Sequence, residues 1–193
     1  MQFLTGCFIF IIKKCLTIAD TEWVGVKMMD FKKFEKLSKT EYGVLRYLAV
    51  DEGLVDNSEI EQIIEKVTKD RFNLGKAKME FAHTLDLNEL EACKVIITLC
   101  YYAMYQSCRA AVFHTHRNDV DSHEKVASEI GKIIGKPLED SLNCWRNTRN
   151  EVDYSPYPSL DRPLKELALN AISSSASCLT DIENYFRKRG VRL

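Results

Sequence analysis

The sequence predicts an all-α protein: an up-and-down bundle of four to five helices behind an N-terminal helical extension. Only four prolines and eight glycines occur in 193 residues, and long stretches contain neither, so little interrupts a helix. Apolar residues recur at the spacing of one helical face, not in the alternation of a strand. The length suits one domain, with residues 1–57 as the extension and residues 58–193 as the bundle.

Composition narrows the classes further. Hydrophobic residues make up 46% and charged residues 28%, which fits a folded globular chain and excludes disorder and collagen. The net charge of −1 argues against a DNA-coating protein, because tight phosphate binding needs an excess of Lys and Arg; a local basic patch stays open. The seven cysteines are Cys7, Cys15, Cys93, Cys100, Cys108, Cys144 and Cys178, and none forms a C-x-x-C pair. Cys93, Cys100 and Cys108 fall inside an apolar helical stretch and read as small core residues. That usage points to a reducing, cytoplasmic compartment rather than to disulfides or zinc.

Phe3 to Ile12 is strongly apolar but too short to span a bilayer as a helix. Lys13 and Lys14 follow it rather than precede it, unlike a secretory signal. Either the segment docks on the body or on a partner, or translation begins at Met28 or Met29; the second reading is preferred, and a membrane anchor ranks third. No membrane association is expected.

The first helix is expected from Asp30 to Val50, ending near Gly53. Asp56-Asn57-Ser58 then offers a cap, with Glu61 three residues after Ser58 as in a capping box. The next helix covers about 58–85, its face formed by Ile60, Ile63, Ile64, Val67, Leu74, Ala77, Phe81, Ala82 and Leu85. A break at Asp86-Leu87-Asn88 precedes a helix over 89–116, apolar on every side through Leu90, Val95, Ile96, Ile97, Leu99, Met104, Val112 and Phe113. Such a helix is buried all round and is expected at the centre. Asp121 or Ser122 caps a helix over about 122–134. Gly135-Lys136-Pro137 ends it and starts another over 138–153. The prolines of Tyr154-Ser155-Pro156-Tyr157-Pro158 impose an extended segment. Asp161 and Pro163 open a last helix over 161–189, where Ser173 to Ser177 would admit a close neighbour. Such helices with short loops make an up-and-down bundle.

In the helix over 138–153, Leu138, Leu142, Trp145, Arg149 and Val152 share one narrow stripe, flanked by Arg146 and Asp153. A guanidinium inside an apolar stripe is expensive unless it is paired or meets a ligand. Both explanations are open here: an ion pair with Asp153, four residues on, or a ligand-facing cleft.

Three stretches carry a resemblance. Tyr101-Tyr102-Ala103-Met104-Tyr105 followed by Cys108-Arg109-Ala110 resembles the "YYAMF-x-x-x-R-A" signature of HEPN proteins. Ser122-His123-Glu124-Lys125-Val126 and Arg149-Asn150-Glu151-Val152-Asp153-Tyr154 are similar to the "[ST]-H-x-x-V" and terminal "R-x-x-A-D-Y" of an uncharacterised HEPN branch. The three occur in the right order across roughly residues 66–189. The resemblance implies a four- or five-helix bundle that forms a homodimer. It also implies a role in a toxin–antitoxin-like or nucleotide-linked defence system, beside a minimal nucleotidyltransferase encoded next to it. In that family, paired Arg-x(4–6)-His motifs form a metal-independent ribonuclease site across the dimer.

The motif departs from that pattern at one place. Five residues after Arg149 stands Tyr154, and no histidine follows His123. Cleavage of RNA without a metal needs a base near neutral pH, which histidine supplies best. RNA or nucleotide binding through Arg146, Arg149 and Asn150 is therefore expected to outlast catalysis. Arg149, Asp153 and Tyr154 are the candidate catalytic residues, with Asp153 as a weak base and Tyr154 as a hydrogen-bond donor. The alternative is a non-catalytic helical protein-interaction module. His114 and His116 lie on different faces of one helix and read as a solvated helix end. His123 packs or bonds locally in the first turn of its helix, or reaches Arg149 between helices. No Walker loop, G-x-G-x-x-G, H-E-x-x-H or G-x-S-x-G occurs, so no cofactor and no metal is expected.

Overall fold

A computed structural model describes residue 36 and residues 38–50, 56–156 and 158–193. Every regular element among the described residues is a helix, with no strand among them. Six helices follow in order: α1 (Lys39–Val50), α2 (Asn57–Ala82), α3 (Leu90–His116), α4 (His123–Ile133), α5 (Lys136–Tyr154) and α6 (Leu164–Arg187). The apolar run Phe3–Ile12, the start at Met28 or Met29 and residues 30–35 lie outside the described residues; α1 begins at Lys39 rather than at the expected Asp30, because Ser38 and Glu41 cap it there.

The caps explain most boundaries. Asp56 takes the cap of α2 and its carboxylate accepts from the Ser58 amide at 2.8 Å. Glu61 does not close the box expected with Ser58; it pairs with Arg117 at 2.8 Å. Ser122, one of the two residues expected to cap α4, accepts from the Lys125 amide. Gly135 separates α4 from α5 with φ +154°, a conformation open to glycine and strained for other residues. Pro137 sits in the first turn of α5.

The central helix is α3, which packs against α2, α4, α5 and α6. Fourteen of its residues are buried, among them Cys93, Cys100 and Cys108, as expected for core cysteines. Leu90 and Val95 depart from that expectation and are 66% and 46% exposed, while Cys93, Ile96 and Ile97 of the same turns are buried. A small second cluster joins Ile60, Ile64 and Val67 of α2 to Phe113 of α3, with Tyr42 of α1 packed on it.

The face of α2 is the largest local correction. Ile60, Ile64, Val67 and Ala82 are buried as expected, but Leu74 and Phe81 are about half exposed and Ala77 is exposed. Thr68, Arg71, Phe72 and Gly75 are buried instead. The helix turns its small residue inward: a Cβ on Gly75 would lie 2.5 Å from Ser107 Oγ and 2.8 Å from the Ala103 carbonyl oxygen. That contact brings the α2 and α3 backbones together and rotates Leu74 to the outside.

Candidate functional site

The predicted stripe of α5 is buried in full: Leu138, Leu142, Trp145, Arg149 and Val152. Arg149 is 5% exposed. Burial of a guanidinium demands partners, and α3 supplies most of them. Arg149 Nη2 donates to the Tyr102 hydroxyl at 3.1 Å and Nη1 to the Tyr154 hydroxyl at 2.9 Å. The charge also lies 5.3 Å from the Tyr101 ring centroid, 5.2 Å from that of Tyr102 and 5.3 Å from that of Tyr154, near enough for cation–π attraction.

The expected pairing with Asp153 is present but loose. Asp153 Oδ2 stands 3.8 Å from Arg149 Nε, beyond hydrogen-bond range, and Nε makes no hydrogen bond. Asp153 is tied instead to α3, where Thr98 Oγ1 donates to its Oδ1 at 2.7 Å. Arg146 reaches the first turn of α4, with Nη1 2.6 Å from Glu124 Oε1. Its Nε is also buried and without a hydrogen bond. Two neighbouring guanidinium groups thus each keep a buried Nε outside any hydrogen bond. Asn150 is exposed on α5 and takes no part in these contacts. Tyr154, the last residue of α5, is 72% exposed.

His123 completes the cluster, and spacing alone gave no means to choose between its local and its cross-helix roles. It is the first residue of α4, yet its ring lies among the aromatic residues of α3. It stacks on Tyr105 with centroids 4.1 Å apart, stacks on Tyr101 at 5.7 Å and meets Tyr102 edge-on at 6.3 Å. Its Nδ1 is hydrogen-bonded to the Tyr101 hydroxyl. The imidazole and Arg149 therefore share the same two tyrosine rings.

The connection before α4 holds the histidine there. Arg109 clasps Asp119 with two bonds, Nε at 3.0 Å and Nη2 at 2.6 Å. Arg71, over the ring of Phe113, reaches the same carboxylate at 2.9 Å. The Tyr105 hydroxyl donates to the Asp121 carbonyl at 2.8 Å. These bonds tie residues 119–121 to the central helix and so place the start of α4.

Electrostatics sets the protonation of the cluster. Burial pushes the Tyr101 hydroxyl well above the usual tyrosine range, with Arg149 and Arg146 pulling the other way, so it keeps its proton at neutral pH. Burial lowers His123 below its ordinary value, and repulsion from Arg149 and Arg146 lowers it further, so the ring is neutral at pH 7. We take the Tyr101 hydroxyl as the donor in its bond to His123 Nδ1, whose direction depends on the tautomer. We therefore assign the imidazole hydrogen to Nε2. In that state His123 donates from Nε2, while Nδ1 accepts from the Tyr101 hydroxyl. Glu124 is held below the usual carboxylate range by the amide at its own helix end, by the Ser122 hydroxyl and by Arg146.

Of the two histidines expected at a solvated helix end, His116 is exposed there and pairs with Glu129 at 3.1 Å, whereas His114 is partly buried and packs edge-on against Phe186.

No family model, curated protein or solved structure matches the chain. No described helix is long and apolar enough to cross a membrane.

Proposed function

We propose that the chain is a HEPN-type protein of a toxin–antitoxin-like or nucleotide-linked defence system. It binds RNA or a nucleotide by its phosphate at Arg146 and Arg149. The observation that supports this most is the pair of buried Nε donors on neighbouring guanidinium groups, neither in a hydrogen bond. An unmade bond from a buried charged donor is costly, and a phosphate oxygen is the acceptor to which guanidinium geometry is best matched. Tyr154 covers Arg149 from the end of its helix and is largely exposed; its displacement opens the way to the guanidinium. Asn150, beside the arginines in sequence, contacts the remainder of the ligand from the exposed side.

Ribonuclease activity is weak or absent in this reading. Asp153 is engaged by Thr98, and His123 presents a donor rather than a free base. Losing a general base lowers a rate by roughly 10²–10⁴-fold. Two copies associate with α5 facing α5 near Arg149, and a minimal nucleotidyltransferase is the partner protein.

Titration of the purified protein with single-stranded RNA and with mononucleotides tests the reading. Saturable binding that weakens with salt is expected. Its log–log slope should have a magnitude of about 1–2, since each phosphate neutralised on a single strand contributes about 0.7. Incubation of the same RNA in chelator should give little cleavage. Absence of binding at low salt would favour a protein-interaction module and reject phosphate binding.

A further inference from the structure

His123 is close enough to the two arginines to feel whatever they bind. It shares the Tyr101 and Tyr102 rings with Arg149. The residue after it, Glu124, is the ion-pair partner of Arg146. The charged groups around the imidazole are Arg149 and Arg146 from α5, Arg109 from α3 and Glu124 from α4. Tyr101, Tyr102 and Tyr105 wall it from α3, and the Asp121 carbonyl holds Tyr105 from the connection before α4. Arg149 and Arg146 face it most directly, since Arg109 is clasped by Asp119, and the Glu124 carboxylate is already drawn to Arg146.

We propose that His123 is a third, conditional cation of the phosphate site, gaining its proton when a phosphate occupies Arg146 and Arg149. This rests on phosphate binding at those two arginines. The empty site disfavours protonation because a third positive charge would join two others beside an apolar wall. A bound phosphate cancels part of that repulsion. The proton enters at Nδ1, and the Tyr101 hydroxyl rotates from donor to acceptor to keep the bond between them. No covalent bond forms or breaks other than the N–H bond, and the proton comes from solvent.

Linkage requires the reverse effect as well: if phosphate favours the protonated ring, a protonated ring favours phosphate. Affinity should then rise as pH falls. A shift of one unit on binding corresponds to about tenfold in affinity.

The test needs ligands whose own charge is constant. An oligouridylate and uridine 2′,3′-cyclic phosphate both carry phosphodiesters, and neither base nor phosphate titrates between about pH 5 and pH 8. Binding of each is measured across that range for the wild type, His123→Asn and Arg146→Gln. Asparagine offers an acceptor for the Tyr101 hydroxyl but cannot take the proton, and a thermal melt verifies that each variant is folded. The expected result is about tenfold tighter wild-type binding at the acid end and a flat profile in His123→Asn. The His123 ring-proton resonances should also report a higher midpoint with ligand than without. Comparison of the two probes tells a polymer from a single nucleotide as the source of the phosphate. Binding that is lost in Arg146→Gln but independent of pH in the wild type would overturn the role of His123 and leave the arginine site standing. No binding of either probe at any pH would overturn both.

Discussion

His114 on α3 and His123 on α4 are both held below the ordinary histidine value, and burial leads the lowering at both. At His114 the additional push comes from Arg117 and Arg189, and the value falls from 6.5 to about 4. The unfolded chain therefore takes up a proton before the folded one does as pH drops. The stability linked to His114 is complete above about pH 6.5 and is lost progressively down to about pH 4. Urea midpoints should fall over that interval, and His114→Gln should fall less steeply than the wild type. Parallel pH profiles in the two proteins would show that His114 does not carry this dependence. Nothing in the spacing of His114 and His116 announced this environment. It arises from Phe186, on a helix far along the chain.

The helices themselves were legible because their signals are local. Ser122 and Pro137 are boundary residues by type, and the order of the bundle helices follows from the breakers. The stripe of α5 was legible to the residue, Arg149 included, because 3.6-residue periodicity places those five side chains on one side whatever they pack against. The face of α2 was not. Thr68, Arg71 and Gly75 read as polar or small, and their burial depends on Asp119, Phe113 and Ser107 from other segments. Gly75→Ala tests that packing. Alanine favours a helix over glycine by about 1 kcal/mol, but a Cβ here meets the Ala103 carbonyl at 2.8 Å, and overpacking costs about 1–3 kcal/mol. A lower urea midpoint is expected. A higher one would mean that α2 and α3 do not approach so closely.

Across the whole molecule, helices α2 to α6 share one core centred on α3, and the site sits where α3, α4 and α5 meet. Arg146 and Arg149 could be proposed from sequence because they lie within one helix. His123 could not be assigned, because only the packing of α4 and α5 against α3 brings it to the same tyrosines. Assembly belongs to this level too. A two-fold pairing through α5 would set two such clusters face to face, with the same surface used on both copies. Light scattering should give a dimer mass at concentrations on the order of tens of micromolar, a range that specific association reaches readily. A monomer there would confine the site to a single chain and count against the paired arrangement.

Arg149 decides between a ligand site and a structural ion. Its contacts are two neutral hydroxyls, a loose carboxylate and three rings, and Tyr102 and Tyr154 can turn to solvent when it is removed. Arg149→Ala should therefore lower stability by only about 1–3 kcal/mol and leave the bundle folded. The deciding measurement is fluorescence anisotropy of a labelled single-stranded RNA against wild type and Arg149→Ala, with circular dichroism melts on the same samples. Phosphate binding at Arg149 predicts that the variant melts cooperatively yet no longer binds. Wild-type affinity in the variant, or a variant that does not fold, would contradict it and make Arg149 a member of the core.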